Sequence, residues 1–359
     1  MGTSVIYSQS RELTMPEMLA PQMLKSGERL EVLRVEMPCP QWGPRLVQFI
    51  YLDHVEYTNC NWHHNCARVV AGDFAAVSRD VFFVGLLDDR PVGACWYATP
   101  RDTGDLATFG RVVTSPDQRR KGISAHLCRL AVEDFTAQGG WCLHLGTGRT
   151  NPARYIYEQL SFEHINYVEG GGTVMRAVVR GEREAFEREY YAPGRPTQIR
   201  PLHWGDFPRA EALYNLPHWL VKDFTQGVCA NTPCEGQFFD LMESLERREE
   251  TGAALVTDDE RLMGLAYAAG TGIGAGVMAH VRVLEFLVHP SYADHSAQLI
   301  AAAASSCSAE KLLAYSSARD IARTEALEEA GFTLEGTLTG ALQDAEESAV
   351  DLYIFGLWY

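Results

Sequence analysis

The sequence has no run of about 18 or more apolar residues, so no membrane-spanning helix is expected. Its first residues, MGTSVIYSQSRELTMPEMLAPQ, lack a basic region followed by an apolar core, and no secretory signal is expected there. MGTSVI loosely suits a myristoylation pattern, but no second membrane signal accompanies it. Residues 1–28 therefore read as a loose tail or a strand-swapping arm. Basic charge is short, with 31 Lys and Arg against 47 Asp and Glu and a net charge of −16. That balance argues against nucleic acid as a partner, because neutralising phosphates needs a basic surface. The negative field would instead speed the arrival of a cationic amine. A disulfide framework is also missing. The nine cysteines are scattered, with Cys95, Cys128, Cys142 and Cys307 in apolar surroundings, as suits reduced thiols in a cytoplasm. Cys60, His63, His64 and Cys66 lie close together, but their spacing matches no known zinc pattern. The segment is read as a polar loop, and no metal is expected.

At 359 residues, two domains are the default. Strand and helix signals alternate in the first half. LEVLRVEMP reads as a strand, and ARVVAGDFAAVSRD as a helix weakened by Gly72. VFFVGLLDDRPVGACWYATP reads as two strands joined at Asp88–Pro91, and ATFGRVVTSP as a strand stopped by Pro116. Leu127, Leu130, Ala131 and Phe135 recur at helical spacing, and Gly139-Gly140 closes that helix. CLHLGTG is a short strand. NPARYIYEQLSF is a helix with Asn151 as N-cap and Pro152 at its first position. Two more strands follow. The charged GEREAFEREYY and the breaker cluster APGRPT place a linker at 181–197.

The second half repeats this order at a spacing of about 170 residues, which points to a duplicated domain. ALVTDDERLMGLAYAAG matches VGLLDDRPVGACWYA, and VRVLEFLVHP matches GRVVTSP. IARTEALEEAGF parallels RYIYEQLSF. The expected architecture is α/β (α+β), each domain a mixed, mostly antiparallel sheet flanked by helices.

The chemistry-bearing stretch is VVTSPDQRRKGISAHLCRLAV. A strand ends at Thr114, Pro116 breaks it, and Arg119-Arg120-Lys121-Gly122-Ile123-Ser124 opens a long helix. Such a loop presents backbone N–H groups at the positive end of a helix dipole. Gly122 permits the tight turn and small Ser124 a close approach. The ligand this suits is a pyrophosphate.

Residues 112–124 resemble motif A of the GNAT acetyltransferase superfamily, with its V-x-P-x-x-R/Q-x-x-G-x-G/A signature. NPARYIYEQLSF resembles its motif B, N-x-x-A-x-x-x-Y-E-x-x-G-F. Ser124 stands for the usual Gly or Ala, and Ser161 for the Gly before the aromatic. The resemblance covers about residues 30–180 and implies an N-acetyltransferase domain over 29–180, using acetyl-CoA as acyl donor. It further implies that backbone amides around Val112, Val113 and Thr114 bind the acetyl carbonyl and pantetheine. Amides of Arg119, Arg120, Lys121, Gly122, Ile123, Ser124 and Ala125 would hold the pyrophosphate, Asn151 would contact the cofactor, and Tyr157 would protonate the departing thiolate. Trp62, His63 and His64 would line the acceptor pocket. Many relatives carry a carboxylate base where this chain has Thr108. His63, His64, Asp73, Asp105 and His144 are the alternatives.

The second copy, 198–359, lacks a glycine and basic residues in SYADHSAQ, and Ala326 or Leu327 stands where the tyrosine would be. It is expected to be a structural, cofactor-free domain. The acceptor expected is the amine of a small molecule, and the assembly a monomer or homodimer. Acyl-CoA decarboxylation or acyl loading, and non-catalytic acyl-CoA sensing, are the alternatives.

Overall fold

The computed structural model describes residues 14–53, 62–168, 171–217, 234–270, 277–343 and 348–359. The chain divides into two compact units, residues 1–164 with 175–181, and residues 165–174 with 182–359.

The first sheet is built from β1 (Glu17–Met23), β2 (Arg29–Glu36), β3 (Ser78–Leu87), β4 (Arg90–Pro100), β5 (Leu106–Thr114), β6 (Cys142–Gly148), β7 (Glu163–Val168) and β8 (Gly172–Val178). Its strand order is β1-β2-β3-β4-β5-β6-β8-β7. β2 to β5 pair as an antiparallel meander, and β5 with β6 is parallel. Helices α1 (Gly43–Val47) and α2 (Trp62–Ala71) follow β2; α3 (Ile123–Ala137) and α4 (Arg154–Gln159) flank β6 in sequence.

Side chains alternate across each strand, which sorts them between the two faces of the sheet. Val81, Phe83, Cys95, Tyr97, Ala107, Phe109, Leu143 and Leu145 form one core with Ile123, Leu127, Cys128, Ala131 and Phe135 of α3. The residues between them, including Asp80, Trp96, Thr108 and His144, are just as buried on the other face.

The second unit holds α5 (Phe186–Tyr190), β9 (Thr197–Pro201), α6 (Phe207–Tyr214), α7 (Cys234–Arg248), β10 (Ala253–Thr257), β11 (Leu262–Gly270), β12 (Val281–Val288), α8 (Ser296–Ser305), β13 (Lys311–Ser317), α9 (Ile321–Glu329), β14 (Thr333–Gln343) and β15 (Ala349–Trp358). Its order, read from the other edge, is β9-β10-β11-β12-β13-β15-β14. Strand for strand this repeats β2-β3-β4-β5-β6-β8-β7, and the parallel pair falls again between the fourth and fifth strands. The duplication read from sequence is thus a duplication of topology.

Several expectations change. ARVVAGDFAAVSRD does not stay helical: α2 ends at Ala71, Gly72 adopts φ +80°, and Ser78 begins β3. Burial of Val81, Phe82, Phe83 and Val84 in the sheet overrides the local helical pattern. Residues 1–28 are not wholly a tail, because β1 pairs antiparallel with β2 and forms the sheet edge. Pro152 does not open regular helix. α4 starts at Arg154, although Asn151 Oδ1 still accepts a hydrogen bond from Ala153 N at 3.0 Å. Residues 181–197 contain α5, with Phe186, Tyr190 and Tyr191 buried. α7 has no counterpart among the elements expected from the sequence.

One glycine in each copy sets how closely the helix approaches the sheet. A Cβ on Gly93 of β4 would lie 2.6 Å from Ile123 and 3.1 Å from Leu127 of α3. A Cβ on Gly264 of β11 would lie 2.9 Å from Val288 and 3.1 Å from Leu299 of α8. Gly93→Ala is expected to destabilise the first unit by about 1–3 kcal/mol through overpacking, read as a lower urea midpoint.

Candidate active site

The parallel ladder between β5 and β6 is only three residues long, pairing Leu106–Thr108 with Cys142–His144. Both strands run on, to Thr114 and Gly148, without pairing each other. The opposite side of β5 is irregular as well. The β4–β5 register slips between Ala94 and Trp96, where Val113 and Gly110 are their partners, and Arg111 adopts φ +51°. This is a β-bulge, which bends β5 locally. Beyond the three-residue ladder the strands leave a gap whose β5 wall is the backbone of Phe109–Thr114.

The loop that follows brings the next group to the mouth of the cleft. Pro116–Gln118 makes one 3₁₀ turn, Arg120 has φ +67°, and Gly122 has φ +87° as the N-cap of α3. A Cβ at Gly122 would meet nothing within 4 Å, so space and positive φ coincide at the helix N-terminus. The hydroxyls of Thr114 and Ser124 are in direct hydrogen-bond contact, tying the strand end to the first turn of α3. Arg119 donates through Nε to the Thr114 carbonyl at 3.2 Å. Lys121 Nζ meets Glu28 Oε2 at 2.7 Å and Gln118 Oε1 at 2.7 Å. Val112, Val113, Thr114, Arg119, Arg120, Lys121, Gly122, Ile123, Ser124 and Ala125 thus form one continuous strand-end, loop and helix start. Ile123 itself is buried and anchors α3 in the core.

Asn151 follows the end of β6 on the other rim, its N–H bonded to Gly148 O at 3.0 Å. Tyr157 is buried in α4, with its ring edge-on to Phe109 at 6.2 Å and to Phe162 at 6.0 Å. Phe109 is the first β5 residue beyond the three-residue ladder, so Tyr157 packs beside the point where the strands part. Tyr155 is 60% exposed, as its place on the helix predicts.

The candidate bases separate. Thr108, Ala98 and Asp80 are successive cross-strand neighbours, and His144 continues the row on β6. Burial, with Arg176 nearby, pushes His144 down to about 3, so it is neutral at physiological pH. Asp105 precedes β5 and accepts from Thr103 Oγ1 at 2.7 Å, at the strand end opposite Thr114. Asp73 pairs with Arg68 at 3.4 Å. Trp62, His63 and His64 begin α2, but their side chains lie outside the described residues. So does Cys60. Among the described residues no group of three or more His, Cys, Asp or Glu gathers as a metal site.

Sequence reading missed a buried polar group on the sheet face opposite α3. Asp80 accepts from Trp96 Nε1 at 2.9 Å and Ser78 Oγ at 2.8 Å, and Arg111 lies 4.1 Å from the centroid of the Trp96 ring. Burial raises the pKa of Asp80 against these hydrogen bonds and the Arg111 charge. The Cys66 thiol of α2 is likewise raised by burial and lowered by Arg111. The alternation of VFFVG and GACWYA held the signal, since a Trp and an Asp share the face of Phe82 and Val84.

In the second unit β12 and β13 pair only over Val281–Val283 and Lys311–Leu313, then run on in the same way. Here one side chain bridges the gap. Arg323 of α9 donates to Phe286 O on β12 at 2.7 Å and to Tyr315 O on β13 at 2.7 Å. It also pairs with Glu285 at 3.0 Å and lies 4.2 Å from the Phe286 ring centroid. The loop Pro290–His295 is a 3₁₀ turn with exposed Asp294 and no glycine, and Leu327 fills the core position of Tyr157. Arg323→Ala should destabilise the second unit by about 3–5 kcal/mol, because Glu285 is left buried without its cation. Calorimetric unfolding reads this as an earlier transition, and Glu285→Gln in the same chain should recover part of the loss.

A family model described as the acetyltransferase (GNAT) family matches residues 47–162. No curated protein matches the chain. Among solved structures, an N-acetyltransferase from Staphylococcus aureus Mu50 is 18% identical, covering 45% of this chain and 98% of its own, with a TM-score of 0.38. A ribosomal-protein-alanine N-acetyltransferase from Brucella melitensis is 19% identical, covering 45% and 99%, with a TM-score of 0.38. A phosphinothricin acetyltransferase from Sinorhizobium meliloti, in complex with AcCoA, is 12% identical, covering 45% and 88%, with a TM-score of 0.39. The matched stretch contains the bulged strand, the glycine-led helix and the helix bearing Tyr157. Residues 47–162 of this chain are thus similar to the acetyltransferase (GNAT) family.

Proposed function

We propose that the first unit transfers an acetyl group from acetyl-CoA to the amine of a small molecule, by direct attack within a ternary complex. The observation that carries this reading is the gap between β5 and β6, beside the Arg111 bulge and ending at the N-terminus of α3. Acetyl-CoA brings an anionic diphosphate and a thioester on one extended arm, and the cleft offers a fit to each. Amides from Arg119 to Ala125 would hold the diphosphate at the positive end of a 15-residue helix. Amides of Val112 to Thr114 would bind the arm and act as fixed dipoles toward the oxyanion.

Tyr157 would donate the proton to the departing thiolate. A phenol is neutral beforehand and can still give up its proton. Trp62, His63 and His64, at the start of α2, would face the acceptor. The net charge of −16 would favour a cationic one. The second unit, with its cleft bridged by Arg323 and no basic glycine loop, would serve as a structural copy.

Thr108 favours keeping a second reading in the test. It is buried where many relatives carry a carboxylate base, and the nearest acid in its row, Asp80, is held by Trp96 and Ser78. Thiol release with a panel of amines supports transfer. CO2 release from malonyl-CoA without an amine supports a decarboxylase, and binding without turnover a sensor.

Gly122→Asp should abolish acetyl-CoA binding, because it strains a positive-φ position and sets a carboxylate among the phosphate-binding amides. Calorimetry that still gives heat with this variant would refute the loop assignment. Tyr157→Phe should lower kcat by about a hundredfold and leave the acetyl-CoA Kd within about twofold. Full activity in that variant would remove Tyr157 from the acid role.

A further inference from the structure

A cavity of about 180 Å³ lies among β3, the end of β4, the β4–β5 turn and the last turn of α3. Gly93 of β4 pairs with Thr114 and Ala98 with Thr108, so Thr99 and Pro100 stand at the far end of the sheet from the glycine-led loop. The 15 residues of α3 span that distance, about 22 Å at the helical rise. The charged lining residues are Arg79 and Arg101, and no carboxylate lines the cavity. In a chain with a net charge of −16 that is a local reversal. A groove of about 480 Å³ elsewhere on the first unit shows the contrast, since Arg45 and Arg90 there stand with Asp53 and Asp117.

The ion pairs behind the wall leave one cation in excess. Arg34, Arg79 and Arg101 converge on Glu36 at 3.5, 3.0 and 3.9 Å, and Arg34 also meets Asp134 at 3.0 Å. Three guanidiniums thus share two carboxylates, and Arg101, which holds Glu36 most loosely, faces the cavity. The hydrogen-bonding groups are sorted in the same sense. Gln138 Oε1 accepts from Arg79 Nη1 at 3.4 Å, which leaves its amide N–H groups to donate. Thr99 is 4% exposed and adds a hydroxyl to the lining. Two lining hydroxyls are already engaged, because Tyr97 donates to Asp134 and Thr103 to Asp105. A guanidinium carries five donors and no acceptor, so Arg79 and Arg101 cannot satisfy one another. The carbonyls of Asp134, Phe135 and Thr136 at the end of α3 accept from the N–H groups of Gln138, Gly140 and Gly139. The negative end of the helix is therefore capped.

We propose that this cavity is a second anion site, built for a small tetrahedral oxyanion of the phosphate type and separate from the acyl-donor site. Arg101 and Arg79 supply charge-assisted hydrogen bonds, and Thr99 Oγ1 and Gln138 Nε2 supply neutral ones. A ligand that only accepts matches a lining that mainly donates. The volume, below the roughly 300–1,000 Å³ of cofactor and drug-sized pockets, suits a single small ion. The bound anion neutralises the surplus cation and ties β3, the β4–β5 turn and the end of α3 together, so it stabilises the first unit by mass action. The inference stands independently of the acyl-transfer reading.

Calorimetric titration of the full chain with inorganic phosphate, at an ionic strength held constant with sodium chloride, tests this. The wild type should bind phosphate, and Arg101→Ala, at an exposed turn, should weaken that binding at least about tenfold. Thr99→Val, which removes the hydroxyl and keeps the branched shape, should weaken it as well and serves if Arg101→Ala does not fold. The rise in Tm that phosphate gives the wild type should shrink in the same order. A wild type that gives no heat with phosphate would overturn the site. Affinity unchanged in the folded variants would place the phosphate elsewhere, such as the helix start at Gly122, and would overturn it too, with the acyl-donor reading left intact.

Discussion

The early end of the β5–β6 ladder is the constraint on which the first unit depends. Two residues of β5, Arg111 and Val112, oppose the single Cys95 of β4, and Arg111 takes a left-handed backbone conformation to do so. On its other side β5 pairs with β6 over three residues only and then leaves a gap, as β12 does with β13 beside a regular β11–β12 ladder. Everything assigned to the donor lies along this gap: the β5 wall, the Gly122 turn at its mouth, and Tyr157 against Phe109 where it begins. The bulge has its own support, since the Arg111 guanidinium stacks on Trp96, whose indole N–H holds the buried Asp80.

The two copies keep the same architecture and differ in what fills the gap. Both have the seven-strand order, the parallel central pair and a glycine that admits the helix, Gly93 or Gly264. In the second copy Arg323 donates to carbonyls on both parted strands and pairs with Glu285. A buried cation needs such partners to offset its desolvation. The fold therefore tolerates an open gap or a bridged one, and the difference depends on a few side chains.

The order of strands and helices, the duplication and the glycine-led loop were legible in the sequence, because each depends on short-range chemistry. Alternation marks a half-buried strand, a Gly-Gly pair ends a helix, and a basic loop before an apolar helix presents its amides. Local pattern misled where burial decided. The stretch after Gly72 has helical spacing but leads into β3, since Val81 and Phe83 are buried on one sheet face and Phe82 and Val84 on the other. Residues from Glu17 read as a tail because a single edge strand without a turn signal looks like an extended segment, and only pairing with β2 defines it.

By itself, then, the sequence determined that a basic, glycine-led helix start lies near position 122 and that the loop after Pro290 has neither glycine nor Lys or Arg. Only the tertiary structure decided what these ends face. The bulge at Arg111, the bridging of the second gap by Arg323, and the gathering of Arg79, Arg101 and Gln138 around one cavity all join residues far apart in the chain. Such contacts depend on strand register and on which face a side chain occupies. A one-residue slip in register would reverse both without altering any local motif.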